Sequence, residues 1–147
     1  MSNKLLNNRG LEQHIRAEYA KIKKIAEQNQ IYHPLNDTFH ENTVIMDGCY
    51  CFSNETGYHY RVIERGVIKV DFVTSDLFEI TYFVLSNKIF WMAAEYECEH
   101  RIEGQDFRRL LFDTELMLWN TIGDTYAKRA LAKIENTLKT SPFSDAS

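Results

Sequence analysis

Residues 49–74 read CYCFSNETGYHYRVIERGVIKVDFVT, and this stretch decides the fold. It contains three short segments rich in aromatic and β-branched residues, Cys49–Ser53, Tyr58–Glu64 and Val67–Thr74, which are residue types that favour strands. The separators Asn54–Gly57 and Arg65-Gly66 are too short for a crossover and suit hairpin turns. The stretch therefore predicts a three-stranded antiparallel meander.

The third segment alternates in a way that assigns its two faces. Ile68, Val70 and Phe72 fall at every second position, so they are expected on one buried face of the strand. Val67, Lys69, Asp71 and Val73 are expected on the other face. A helix is needed to cover the buried side of such a sheet.

Helical periodicity precedes and follows the meander. Apolar residues recur at three- and four-residue steps from Leu11 to Ile31, which predicts one amphipathic helix that ends before Pro34. Three helices are predicted after the strands, with N-caps at Ser75-Asp76, Asp106 and Asp124 and a stop at Ser141-Pro142. This order indicates an α+β fold in a single domain, residues 1–147, with a frayed tail at 144–147.

Residues 32–47 lack periodicity and predict a loop, and the wider segment around it is acidic. No lysine or arginine lies between Lys24 and Arg61. Such a segment is suited to steering a basic partner, although acids that merely solubilise a loop would give the same pattern. Carboxylates and neighbouring aromatic residues are therefore predicted to bind a partner: Asp37, Glu41, Asp47, Tyr50, Glu55 and Tyr58.

Composition narrows the class of protein. The net charge of −4 disfavours generic binding to nucleic-acid phosphates. No apolar run approaches the roughly 20 residues that span a bilayer, and the first residues lack a signal-peptide hydrophobic segment. Three cysteines, an odd number, favour reduced thiols over a disulfide framework. We therefore expect a cytoplasmic protein that binds no membrane.

Cys98, His100 and Glu103 suggest an alternative, a small metal-binding or hydrolytic enzyme. Residues two apart on a helix do not face each other, so Cys98 and His100 are poor joint ligands while the helix continues. The sequence contains no Gly-rich phosphate loop, nucleophile elbow or metalloprotease helix motif. We therefore predict no catalytic residue, no metal and no cofactor. A regulatory binding module, for example a homodimer formed through the helix around Phe90 and Trp91, stays open as well.

Several short motifs resemble the immunity protein 63 family of bacterial polymorphic toxin systems. The most specific is HRIEGQDFRRLLF at residues 100–112. It is accompanied by Tyr58-His59-Tyr60, Glu64-Arg65-Gly66 and Pro142-Phe143, so the resemblance covers about residues 48–143.

The resemblance implies a non-enzymatic immunity protein that binds a cognate toxin and blocks its activity. The partner is then a toxin protein, and the chain is a monomer or a homodimer. We assign the shared motif residues to the scaffold rather than to recognition: Glu64, Arg65, Gly66, His100, Arg101, Asp106, Arg108, Arg109 and Phe112.

Overall fold

A computed structural model describes residues 4–41 and 46–146. Its sheet has the order β1 (Gly48–Asn54), β2 (Gly57–Glu64) and β3 (Val67–Thr74), and both pairs are antiparallel. The predicted meander is confirmed. Arg65 and Gly66, which join β2 to β3, have φ angles of 53° and 72°. Two consecutive left-handed residues are what a type I′ hairpin turn requires, and glycine adopts that conformation at no steric cost.

A β-bulge in β3 changes which residues share a face. Val62 pairs with Val70 and Ile63 pairs with Ile68, so Lys69 is left without a partner across the ladder. The extra residue shifts the alternation by one position, which places Ile68 on the face opposite to Val70. The prediction that Ile68 is buried beside Val70 and Phe72 is therefore wrong, and Ile68 is 46% exposed.

Five helices complete the α+β order that the sequence predicts. They are α1 (Asn8–Ala20), α2 (Lys23–Gln28), α3 (Leu77–Glu99), α4 (Phe107–Ile122) and α5 (Asp124–Thr140). Asp76 and Asp106 accept hydrogen bonds from backbone N–H groups in the first turns of α3 and α4, so both predicted caps are confirmed. The third is wrong by one position, because Gly123 is the N-cap of α5 and Asp124 is its first residue.

The single helix predicted over Leu11–Ile31 is two helices. The Ile22 N–H bonds to the Tyr19 carbonyl three residues back, and this tighter turn separates α1 from α2. The apolar spacing continues across the break and so does not reveal it. A Schellman motif ends α2, with Gln30 at φ 59° and the Ile31 N–H bonded to the Ala26 carbonyl. Helix α2 thus ends at Gln28, and Pro34 is not what stops it.

The chain forms two compact units. The first comprises Met1–Glu18 and Pro34–Ser86, and the second comprises Tyr19–His33 and Asn87–Ser147. Helix α3 is shared, since its residues 77–86 belong to the first unit and 87–99 to the second. The single domain stays a prediction.

In the first unit, aromatic rings join the sheet to the start of α3. Phe83 stacks on Phe72 of β3 at a centroid distance of 4.2 Å and meets Tyr60 of β2 edge-on at 5.4 Å. The other face of the sheet buries a cluster formed by Tyr50, Phe52 and Ile63. Large aromatic and apolar residues thus pack on both faces of the sheet.

In the second unit, α4 and α5 pack through buried apolar residues. Trp119 is 1% exposed and stacks on Tyr126 at 5.7 Å. The Tyr19 hydroxyl donates to the His33 carbonyl, which holds the segment after α2. Among the helices of the described ranges, none combines the length and apolar character needed to cross a bilayer.

Candidate functional site

The predicted partner-binding residues separate into a buried and an exposed group. Asp37, Tyr50 and Tyr58 are buried, at 9%, 5% and 3% exposure. Glu41, Asp47 and Glu55 are exposed. The structure therefore brings only the second group to the surface, and partner binding by any of the six stays a prediction.

Asp37 lies beside polar groups of the sheet. Burial, and then the charge of Asp37, raises the pKa of the Cys51 thiol to about 12. The same two causes raise the pKa of the Tyr60 hydroxyl. Both groups are therefore neutral at physiological pH, and a neutral buried thiol is a poor nucleophile.

The two buried tyrosines use their hydroxyls within the chain. Tyr50 donates to the Met46 carbonyl at 2.8 Å, and the Tyr58 hydroxyl accepts a hydrogen bond from the Leu6 N–H at 2.9 Å. These contacts connect the sheet to the segments before it. The rings thus contribute to the core.

The exposed acids differ in what they contact. Asp47 accepts a hydrogen bond from the Gly66 N–H at 3.0 Å, and this bond, with a second from the Arg65 backbone, lowers the pKa of its carboxyl. Asp47 therefore helps to hold the β2–β3 turn. Glu41 lies 3.9 Å from Arg61 of β2, so the fold supplies a basic neighbour that its own segment lacks. Glu55 is exposed in the β1–β2 turn.

A partly buried charged cluster, which the sequence analysis missed, lies on the sheet face that carries Phe52. The His59 ring stacks on Phe52 at 4.7 Å, and the Arg61 guanidinium lies 5.1 Å from the centre of the same ring. The Asp71 carboxylate is 3.5 Å from Arg61 Nε and 3.7 Å from His59 Nδ1. Strand alternation puts these side chains on one face, but only the strand register shows that they meet.

Beside this cluster, the same face of β3 carries exposed apolar side chains. Ile68 pairs with Ile63, Asp71 with Arg61 and Val73 with His59, so all three β3 residues share that face. Ile68 and Val73 are 46% and 45% exposed. We call the following set the acidic sheet surface: Glu41, Glu55, Ile68, Asp71 and Val73. Alternation indicated the outward position of Asp71 and Val73, whereas Ile68 reaches this face only through the bulge.

The charged residues of the 100–112 motif are engaged within the second unit. The Arg101 guanidinium donates to both carboxylate oxygens of Glu97, at 2.7 and 3.0 Å. Arg108 donates to Asp106 at 2.9 Å and to the carbonyl oxygens of Ser141 and Pro142, each at 2.9 Å. Planar, two-pronged contacts of this kind fix geometry as well as charge.

The same motif holds the end of the chain. Arg109 donates to Asp145 at 3.0 Å and lies 4.3 Å from the centre of the Phe143 ring. The Ser144 N–H donates to Asp106 and the Ala146 N–H to the Gly104 carbonyl, each at 2.9 Å. We call Asp106, Arg108, Arg109, Phe143 and Asp145 the tail clamp. Residues 144–146 are thus tied to the start of α4, where the sequence predicted a frayed tail.

Hydrogen bonds in and around the tail clamp lower the pKa values of its two carboxyl groups. The Arg108 side chain, followed by the Ser144 and Arg108 backbone N–H groups, holds the pKa of Asp106 well below its usual range. The Arg109 side chain lowers the pKa of Asp145 in the same way. Two other motif residues lie outside the tail clamp. The Phe112 ring centroid is 6.1 Å from that of Phe143, and Glu64 is exposed at the end of β2.

Cys98, His100 and Glu103 do not form a shared site. Cys98 is exposed, and the His100 ring stacks on Tyr96 at 4.0 Å with its Nδ1 3.0 Å from the Tyr96 carbonyl. Within residues 4–41 and 46–146, no group of three or more His, Cys, Asp or Glu side chains is placed to hold a metal ion.

Comparison with known proteins adds one finding. The family model described as immunity protein 63 matches residues 54–136, which is more than half of the chain. No curated protein and no solved structure matched significantly.

Proposed function

Because the chain belongs to the immunity protein 63 family, we propose that it binds a cognate toxin of a bacterial polymorphic toxin system and neutralises it by occlusion. The family match carries this proposal. In it, the chain acts in the cytoplasm of the producing cell, binds in a fixed ratio and performs no catalysis. Protection by binding alone requires a tight complex, and the tightest immunity complexes of other families reach dissociation constants of about 10⁻¹³–10⁻¹⁶ M.

We assign the toxin-binding face to the acidic sheet surface. Ile68 and Val73 are each nearly half exposed, with Asp71 between them on the same face of β3. Apolar contacts that lose water on binding supply affinity, whereas surrounding charges set the association rate and the choice of partner. Glu41 and Glu55 add negative charge to this set. The matching toxin surface is therefore basic, with an apolar centre.

The strands and side chains beneath the acidic sheet surface favour binding without rearrangement of the chain. Phe52 is 1% exposed beneath His59 and Arg61, and β2 pairs with both of its neighbours along nearly its full length. A rigid platform loses little conformational entropy on association.

Co-expression with the product of a neighbouring toxin gene tests the function. Cells that make the toxin should survive when they also make this chain, and the two proteins should copurify with one-to-one stoichiometry. Toxicity that persists with folded chain present, and no complex between the purified proteins, would remove the proposal.

A matched pair of variants tests the surface separately. Ile68→Asp should lower the affinity for the toxin at least tenfold, because a charge replaces an apolar contact at the centre of the interface. Leu131→Asp on α5 introduces the same charge at a residue of similar exposure, 42%, and should leave the affinity unchanged. Protection that survives equally in both variants would leave the function in place and reject this face.

A further inference from the structure

The second unit has an apolar groove that the proposed function does not use. The groove has a volume of about 440 Å³ and is lined by His33, Lys88, Trp91, Ala94, Glu95 and Cys98. All but His33 lie on α3. His33 lies in the segment after α2, and its Nε2 is 2.6 Å from a carboxylate oxygen of Glu95.

Two large aromatic side chains on this part of α3 are exposed to solvent. Trp91 is 57% exposed and Phe90 is 42% exposed, and their rings touch edge-on at 5.5 Å. The other tryptophan of the chain, Trp119, is 1% exposed. Large exposed aromatic residues next to a groove are typical of sites that bind another protein.

The charges on this helix face suit a second copy of the same chain. Lys88 lies three residues before Trp91, and Glu95 lies three residues after Met92. Seven residues are almost two full helical turns, so both charges lie on the same flank of α3. A twofold axis between Trp91 and Met92, perpendicular to the plane of two antiparallel helices, would bring each Lys88 level with the other copy's Glu95.

We propose that the groove face of α3 binds a second copy of this chain, with the two α3 helices antiparallel and crossing near Trp91. The pairing gives two Lys88–Glu95 ion pairs, which the twofold axis relates and which lie on the same side of the plane that contains the two helices. It also places the Trp91 side chains next to the axis, where each meets the apolar groove of the other copy. An interface with the same patch on both partners is the usual form of a homodimer.

The apolar patch is small, and this determines the expected strength. Two partly exposed aromatic residues and the groove walls fall short of the roughly 1,200 Å² that stable interfaces bury. We therefore expect a reversible dimer whose population rises with concentration, so that the mass measured by sedimentation increases from 17.3 kDa towards twice that value.

Sedimentation equilibrium over a wide concentration range tests the proposal. Trp91→Ala and Lys88→Glu should each weaken dimerisation at least tenfold, the first by loss of apolar contact and the second by placing like charges opposite each other. Exchanging the charges, with Lys88→Glu and Glu95→Lys together, should restore much of the association. Lys128→Glu on α5 is the control for net charge, because Lys128 is exposed outside the groove.

Fluorescence gives a second readout. The emission of Trp91 should shift to shorter wavelength as the concentration rises, and Trp91→Phe should abolish the shift. A mass of 17.3 kDa at every concentration would overturn the proposal. So would a dimer that none of the α3 variants weakens. A chain that stays monomeric but loses toxin affinity on Trp91→Ala would assign the groove to the toxin, again contrary to the proposal.

Discussion

The tail clamp and the acidic sheet surface are both rich in charge, yet their contacts differ. In the tail clamp, Arg108 and Arg109 hydrogen bond to Asp106 and Asp145 at 2.9–3.0 Å. On the acidic sheet surface, the carboxylates of Glu41 and Asp71 lie 3.9 and 3.5 Å from Arg61.

Short hydrogen-bonded ion pairs neutralise the charge of both side chains and fix the chain. Looser ion pairs leave charge that a second protein can still attract. The difference teaches that a conspicuous run of charges, such as the 100–112 motif, can have its charges engaged in contacts that hold the fold. Variants of the tail clamp should therefore change stability without changing recognition, and variants of the acidic sheet surface should do the reverse.

The largest effect is expected for Asp106→Ala. This change removes the N-cap of α4, the Arg108 pair and the acceptor for the Ser144 N–H together. Thermal unfolding followed by circular dichroism should show a Tm lower by several degrees, with toxin affinity unchanged at a temperature where the variant is folded. Asp113→Ala, an exposed residue on the same helix, should leave Tm nearly unchanged. Equal Tm values for the two variants would contradict the structural role of the tail clamp.

The next largest effect is expected on the rate of association with the toxin when charges of the acidic sheet surface are reversed. Glu41→Lys with Glu55→Lys should slow association with a basic toxin roughly tenfold at low salt, and the difference should shrink as salt screens the charges. Stopped-flow kinetics at several salt concentrations measures this effect. Glu135→Lys with Glu103→Lys is the control matched in net charge, because both residues are exposed outside the acidic sheet surface, and the Tm of all variants should stay close to that of the unmodified chain. Salt-independent rates would reject steering by these acids.

A pH dependence should follow from the tail clamp. The pKa values of Asp106 and Asp145 lie below their ordinary value of 3.8 in the folded chain, so the unfolded chain binds more protons as the pH falls. Their contribution to stability is complete above that ordinary value and is lost as the pH falls through the folded-state pKa. Tm measured from pH 7 to pH 3 should therefore drop less for Asp106→Ala than for the unmodified chain. A parallel drop in both would contradict this assignment.

The smallest effect is expected for Arg109→Ala. Arg109 is about 40% exposed in its pair with Asp145, so solvent screens the pair and Tm should fall by no more than a degree or two. The local effect should be clearer, because the tail loses both this pair and the contact with Phe143. Hydrogen exchange of the Ser144 and Ala146 amides should accelerate, whereas Lys128→Ala should leave it unchanged. Unaltered exchange would show that Arg109 does not hold the tail.

Local sequence signals located most of the elements. Residues 54–57 and Arg65-Gly66 fixed the two hairpins because short loops admit few backbone conformations. Asp76 and Asp106 marked helix starts because their carboxylates satisfy free N–H groups. The residues of the candidate site were harder to predict from local sequence signals. The acidity of Glu41 and Glu55 was visible in the sequence, whereas the burial of Tyr50 and Tyr58 depended on which segments cover the sheet.

The order of helices and strands, the α+β class and the family motif were determined by the sequence alone, because each rests on residue spacing within a few turns of chain. The tertiary structure decided the bulge at Lys69, the break between α1 and α2, and the docking of residues 144–146. It also decided that Arg61 meets Glu41 and Asp71. The docked tail and the Arg61 contacts join residues that are separated in the chain, and neither periodicity nor propensity encodes which distant partners meet. The bulge and the helix break are local departures from regular geometry that the spacing of apolar residues does not reveal.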